Sequence, residues 1–125
     1  MIIKNAKIFD GEKFIEEDAV VLEGKFIKKV TDFSLIDEKE LENQEVVDAK
    51  GMVLSPGFID LQLNGCGGVL FNDDISQKTL EIMNETNKRY GCTSFLPTLI
   101  TSPDEKIEKA LNLMNEIKDK EEIGV

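Results

Sequence analysis

Histidine and tryptophan are absent from this sequence of 125 residues, which also holds only two cysteines, three prolines and one tyrosine. Histidine is the commonest metal ligand and the usual acid–base group near neutral pH. A complete hydrolytic metal site within this chain is therefore not expected. Cys66 and Cys92 are too few for a disulfide framework or a cysteine-rich zinc site, and we expect a reducing, cytoplasmic location.

Basic residues and long apolar runs are also scarce. Fifteen Lys and Arg stand against 25 Asp and Glu, which gives a net charge of −10. An acidic surface repels phosphate backbones and anionic lipids, so neither nucleic acid nor membrane is an expected partner. No stretch approaches the ~18 consecutive apolar residues that a membrane-spanning helix needs. The N-terminus lacks the basic and apolar regions of a signal peptide.

The residues that are present have the composition of a folded domain, with 41% hydrophobic and 32% charged side chains. Residues 1–53 contain short apolar runs separated by turn signals such as Asp10-Gly11 and Glu23-Gly24. This pattern predicts a small β meander that needs another sheet to cover its apolar face. Residues 54–125 alternate strands with helices, which is typical of parallel strand–helix–strand units.

Two strands, at 58–63 and 93–96, are predicted in the second region, and residues 123–125 are interpreted as the start of a third. The helix between the first two ends at Gly91 and carries Leu80, Met83 and Tyr90 at helical spacing, with Ile82 beside them. The next helix begins with Ser102 as its cap, followed by Pro103 and Glu105. Its expected buried stripe comprises Ile107, Ala110, Leu111, Met114 and Ile117.

Two strand–helix units are too few for a closed (β/α)₈ barrel, which takes about 250 residues. Either the chain is a piece of a larger protein or it is an unusual small α+β domain. The pattern alone leaves both alternatives open.

The loop after the first parallel strand is the expected binding site, because parallel α/β proteins bind ligands at the carboxyl ends of their strands. Strand alternation places Gln62 and Asn64 on one side, where two carboxamides can hold a water or a substrate hydroxyl. A tight turn, with the amides bonded to backbone, explains the same residues, and spacing alone favours that turn. The candidate site residues are Gln62, Asn64, Gly65, Cys66, Gly67 and Gly68.

Other residues are weaker candidates. The acidic segment 72–74 lacks the spacing of an EF-hand calcium loop. Cys66 has no histidine base to make it a nucleophile, and Cys92 is interpreted as a small buried hydrophobe. Asp60 is expected to bind backbone rather than act as a general base. No P-loop or dinucleotide fingerprint is present, so a nucleotide site is disfavoured.

Three motifs carry a family resemblance. Residues 55–60, Ser-Pro-Gly-Phe-Ile-Asp, resemble the opening of the first barrel strand in the amidohydrolase superfamily. Most members continue with His-x-His, but here Gln62 and Asn64 occupy the matching positions. That departure, over residues 61–68, resembles the N-acetylglucosamine-6-phosphate deacetylase family. Residues 91–101 are similar to that family's next strand and loop, and residues 5–11 to its first strands.

The resemblance implies an α/β fold in which a small N-terminal β-sandwich portion, residues 1–53, precedes the first two β/α repeats of an incomplete TIM-type barrel, residues 54–125. It also implies the N-terminal part of an enzyme that hydrolyses N-acetylglucosamine 6-phosphate to glucosamine 6-phosphate and acetate. A divalent metal of the zinc or iron class polarises the amide in that family.

The family's metal-binding Glu, its two His ligands and its catalytic Asp have no counterparts in this sequence. We therefore expect no catalytic residue, no metal bound by this chain alone, and no activity from it in isolation. Gln62 is expected to reach a metal at most through a water molecule.

The expected partners are the sugar phosphate, the C-terminal part of the same polypeptide and further copies of the chain in a homo-oligomer. A rival hypothesis is a naturally short, non-catalytic binding or interaction module.

Overall fold

A computed structural model describes residues 1–118 and 123–125. The chain divides into two compact units, Met1–Pro56 and Gly57–Val125. The first unit comprises β1 (Ile2–Lys4), β2 (Lys7–Ile8), β3 (Ala19–Glu23), β4 (Phe26–Thr31), a 3₁₀ turn (Phe33–Leu35), α1 (Glu38–Leu41), β5 (Val46–Asp48) and β6 (Val53–Leu54). The second comprises β7 (Phe58–Leu63), α2 (Gln77–Arg89), β8 (Cys92–Pro97) and α3 (Asp104–Ile117). The predicted mixed α/β class is confirmed.

The first unit contains a four-stranded sheet in the order β4-β3-β1-β5 and a separate pair, β2-β6. The predicted turn at Glu23-Gly24 is present and forms a hairpin, since β3 and β4 pair antiparallel around Gly24, whose φ is +60°. The predicted meander is otherwise wrong, because β5 pairs in parallel with β1 and β6 pairs in parallel with β2. Apolar alternation identifies strands but not their partners. The long connection through α1 returns the chain beside β1 in the parallel direction.

The second unit is built on two parallel strands, β7 and β8, that are connected through α2. Ser76 caps α2 by accepting a hydrogen bond from the Thr79 N–H. Leu80 and Met83 are fully buried in the core, as their spacing predicts. Tyr90 is 81% exposed, so its predicted grouping with Leu80 and Met83 on the apolar face is wrong. Tyr90 forms the C-cap, beyond the last helical turn that faces the core.

Helix α3 differs from its prediction at both its start and its buried face. Pro103 is the N-cap residue and no side chain of the described residues caps the helix, so the predicted Ser102 cap is wrong. Ile107 and Leu111 are exposed rather than buried. The residues that pack against the core are Ala110, Leu113, Met114 and Ile117. They keep the predicted helical period but define a face rotated away from Leu111.

The third strand expected at 123–125 is not formed among these residues. Ile123 is buried in the core and the Gly124 carbonyl accepts a hydrogen bond of 2.8 Å from the Phe95 N–H. The segment therefore lies beside β8, but one backbone bond does not make the ladder that defines a strand.

Candidate functional site

The candidate loop begins where β7 ends, and its two carboxamides have different surroundings. The Asn64 Nδ2 group donates to the Thr98 carbonyl oxygen at 3.0 Å. Gln62 is exposed, and in the described part of the chain its carboxamide has no hydrogen-bond partner. Its backbone N–H donates to Asp60 Oδ1 at 3.0 Å, which is the backbone role expected for Asp60. The turn interpretation therefore explains Asn64, while the Gln62 amide is available to a ligand.

Residues 64–71 form a closed loop that depends on its glycines. The Phe71 N–H donates to the Asn64 carbonyl at 2.8 Å and joins the two ends of the loop. A Cβ at Gly65 would collide with the Val69 carbonyl oxygen. Gly67 and Gly68 have φ of +67° and +82°, a region that other residues rarely adopt.

Cys66 lies within this loop as a protonated, hydrogen-bonded thiol rather than a nucleophile. Its Sγ donates to the Met83 carbonyl at 3.4 Å and to Asn87 Oδ1 at 3.5 Å. Burial, reinforced by the negative charge of Asp60, raises the pKa of the Cys66 thiol. A raised pKa lowers the thiolate fraction at neutral pH, so Cys66 is poorly suited to attack a substrate.

Cys92 has the structural role that was expected. Its side chain is buried in the core of the second unit, and its Sγ donates to the Ser94 carbonyl at 3.1 Å.

Asn72 connects the loop after β7 to the segment after β8. Its Oδ1 accepts from the Ile100 N–H at 2.9 Å, and its Nδ2 donates to the Ile100 carbonyl at 3.2 Å and to Ser102 Oγ at 2.9 Å. Its own carbonyl accepts from Lys106 Nζ at 2.6 Å. Sequence reasoning considered Asn72 only as part of a calcium motif. The available signal was a second asparagine, placed directly after the loop that Asn64 opens.

Asp74 lies just before α2, where it binds hydroxyl groups. Its Oδ2 accepts from Ser76 Oγ at 2.7 Å and from Thr79 Oγ1 at 3.0 Å. These hydrogen bonds lower the pKa of the Asp74 carboxyl, and the bond from Ser76 has the larger effect. Asp74 therefore stabilises the start of α2.

Within residues 1–118 and 123–125, no group of three or more His, Cys, Asp or Glu side chains is placed to hold a metal ion. Over the same residues, no helix has the length and apolar character that crossing a membrane requires.

Curated relatives identify the enzymes to which this chain is similar. The N-acetylglucosamine-6-phosphate deacetylase of Haemophilus influenzae is 49% identical over 117 residues, which cover 93% of this chain and 29% of that protein. The human enzyme of the same name is 35% identical, with 86% of this chain and 26% of that protein covered. The N-acetylgalactosamine-6-phosphate deacetylase of a Shewanella species is 38% identical over 72 residues, with 58% and 18% covered.

A solved structure agrees with these relatives. The crystal structure of N-acetylglucosamine-6-phosphate deacetylase from Pasteurella multocida matches with a TM-score of 0.86 and 45% identity, covering 95% of this chain and 30% of that chain. No model of a known protein family matches. The chain spans about 29% of the length of the Haemophilus relative. The resemblance that the motifs indicated is confirmed.

Proposed function

We propose that this chain, which is related by sequence and structure to the N-acetylglucosamine-6-phosphate deacetylases, is the N-terminal part of such an enzyme. The observation that carries the proposal is the likeness to the Pasteurella structure over nearly the whole chain. The complete enzyme would hydrolyse the acetamide of a 6-phosphorylated amino sugar. Water adds to the amide carbonyl, the C–N bond breaks, and acetate and the free amino sugar phosphate are released.

The architecture proposed for the complete enzyme is a β-sandwich beside a TIM-type barrel. The first unit would supply a portion of the sandwich, and the second would supply the first two β/α repeats of the barrel. The parallel pair β7 and β8, with α2 between them and α3 after them, supports the second assignment. Gln62, near the end of β7, and the loop that follows at 64–71 would then face the barrel mouth, where such enzymes bind their substrates.

The metal that the resemblance implies, of the zinc or iron class, finds no ligand set among the described residues. Their contribution is the exposed Gln62 carboxamide, which can hold a water or a substrate hydroxyl. Metal ligands and the acid–base group would have to come from the remainder of the enzyme.

The substrate is proposed to be N-acetylglucosamine 6-phosphate, because the relatives with the broadest coverage carry that name. The Shewanella relative makes the galacto epimer the natural competitor. A cytoplasmic location and a homo-oligomeric assembly complete the proposal.

A chimeric enzyme tests this function. The segment of the Haemophilus deacetylase that matches this chain would be replaced by residues 1–125, and acetate release would be measured with both sugar phosphates. We expect hydrolysis of N-acetylglucosamine 6-phosphate with kcat within about tenfold of the parent. A folded chimera that contains metal but releases no acetate from either sugar would contradict the proposal.

Gln62→Ala in the chimera tests the candidate site. A group that holds a metal-bound water typically changes activity or metal affinity by about 10–100-fold when it is removed. We expect kcat to fall by that factor, while Asn115→Ala, an exposed position on α3, leaves it unchanged. Unchanged kcat and metal content in Gln62→Ala would leave Gln62 as a strand residue only.

A further inference from the structure

The glycine-rich loop is fastened at both ends to one short segment that follows β8. At its start, Asn64 Nδ2 donates to the Thr98 carbonyl, and the Thr98 N–H donates to the Leu63 carbonyl at 2.8 Å. Just after its end, Asn72 binds both backbone groups of Ile100. Two asparagines that flank the loop therefore bind alternate residues of the neighbouring segment.

The bonds made by Asn72 differ in kind from ordinary loop contacts. Its carboxamide pairs with the N–H and the carbonyl of Ile100 in the way that a neighbouring strand would, so it continues the β7–β8 pairing beyond the last strand residue, Pro97. Its Nδ2 also reaches Ser102 Oγ, and its backbone carbonyl binds Lys106 in the first turn of α3. Asn72 thus joins three elements at the carboxyl end of the sheet.

Removal of the Asn72 side chain would delete three hydrogen bonds to the segment after β8, two at Ile100 and one at Ser102, while Leu99 would still pack against the core. The Thr98 bonds to Leu63 and Asn64 do not involve Asn72, so they remain. Ile100 would lose both of its bonds to the carboxamide. A displacement of about 1 Å in an active-site wall can cost about 100-fold in rate, because reacting groups leave their aligned geometry.

We propose that Asn72 is a positioning residue for the deacetylase reaction, which it serves by locking the loop at 64–71 and the segment at 98–102 into one rigid wall of the site. The proposal rests on the proposed function. Asn72 acts through Ile100 and Ser102 and needs no contact with the substrate.

We call the hydrogen bonds from the Asn72 side chain to Ile100 and Ser102 the Asn72 clamp. The first test measures this clamp without reference to activity. Hydrogen–deuterium exchange is followed at the Ile100 and Thr98 amides in the chimeric enzyme, with Asn72→Ala, Asn72→Asp and the control Asn115→Ala. We expect Asn72→Ala to speed exchange at Ile100 at least tenfold and to leave Thr98 unchanged. Asn72→Asp keeps the acceptor for the Ile100 N–H, so we expect its exchange rate at Ile100 to lie between those of the unsubstituted chimera and Asn72→Ala. Equal protection of Ile100 in all variants would overturn the clamp.

The second test separates positioning from stability. Steady-state rates are normalised to the folded fraction measured by circular dichroism. We expect Asn72→Ala to lower kcat about 10–100-fold with KM changed less than threefold, and Asn72→Asp to recover part of the loss. Faster exchange at Ile100 with unchanged kcat would overturn the positioning role. An inactive chimera that retains Asn72 would overturn the proposed function and that role together, while exchange at Ile100 would still decide whether the clamp exists.

Discussion

At the scale of single residues, identical chemical groups take different roles according to their backbone positions. Gln62 and Asn64 are separated by one residue, yet only Asn64 reaches a backbone carbonyl. Gln62 is the last residue but one of β7 and extends into solvent, whereas Asn64 lies where the chain turns back toward Thr98. Sequence alternation predicts a common side of the strand but cannot predict which amide finds a partner beyond the strand end.

The Asp74 carboxylate gives the first prediction at this scale. Its folded pKa is lowered by bonds to Ser76 and Thr79, so its stabilising effect is present above the unfolded pKa and is lost as pH falls through the folded pKa. We expect the free energy of unfolding to fall as the pH drops from about 5 through the lowered folded pKa, and to fall less in Asp74→Asn. Urea unfolding at several pH values measures this difference.

Asp73→Asn is the matched control for the Asp74 variant. Asp73 is exposed and, in the described part of the chain, its carboxylate makes no hydrogen bond or ion pair. We expect the free energy of unfolding of Asp73→Asn to depend on pH as that of the unsubstituted chain does. Identical pH dependence in Asp74→Asn and Asp73→Asn would show that the hydroxyl bonds do not stabilise α2.

At the scale of elements, the sequence predicted the strands and helices of the second unit because their signals are local. The positive φ of Gly91 and the spacing of Leu80 and Met83 end and orient α2 without help from distant residues. The pairing of β5 with β1 could not be predicted, because it depends on a return path of about 40 residues. The Asn72 clamp was missed for the same reason, since its partners lie 28 and 30 residues away.

The start of α3 shows the limit of a capping motif. Ser102, Pro103 and Glu105 form a standard N-terminal signature, but the Ser102 hydroxyl donates to the Ile100 carbonyl instead of accepting from the helix. The same hydroxyl oxygen accepts a hydrogen bond from Asn72 Nδ2, which lies in another loop, instead of one from a helix N–H. A tertiary contact has replaced the local one, which no local pattern can indicate.

Helix capping gives a prediction that compares Ser76 with Ser102. Ser76→Ala removes a bond to a helix N–H and should lower the free energy of unfolding by about 1 kcal/mol. Ser102→Ala removes no such bond and should cost less. Chemical denaturation of both variants measures the order. A larger cost for Ser102→Ala would show that the Ser102 bonds to Asn72 and Ile100 stabilise the fold more than the Ser76 cap does.

The glycine-rich loop gives a second prediction at the scale of elements, with Gly65 and Gly68 as a matched pair. Gly65→Ala would force the new methyl group against the Val69 carbonyl, and such overpacking costs about 1–3 kcal/mol. Gly68→Ala has open space around it, so its cost comes only from the left-handed backbone and is about 1–2 kcal/mol. We therefore expect Gly65→Ala to be the more destabilising in urea unfolding. The reverse order would show that the loop is not held closed between Asn64 and Phe71.

At the scale of the whole chain, the second unit carries features of a structure that needs neighbours. Among the described residues, β7 and β8 pair only with each other, so each leaves one edge without a strand partner. β7 also exposes Phe58, Ile59 and Leu61, all more than 60% accessible. A barrel would cover these side chains with further strands and helices, which agrees with the proposal that this chain forms part of a larger enzyme.

The last prediction is that the isolated chain self-associates through this surface. Unpaired strand edges and adjacent exposed apolar side chains favour contact between copies, and mass action makes the contact depend on concentration. We expect the weight-average mass from light scattering or sedimentation to rise with concentration, and Leu61→Lys to reduce that rise. Leu35→Lys is the matched control, because Leu35 is 70% exposed and Leu61 72%, but Leu35 lies in the 3₁₀ turn of the first unit. A monomer at high concentration, or equal effects of the two substitutions, would show that β7 is not the associating surface.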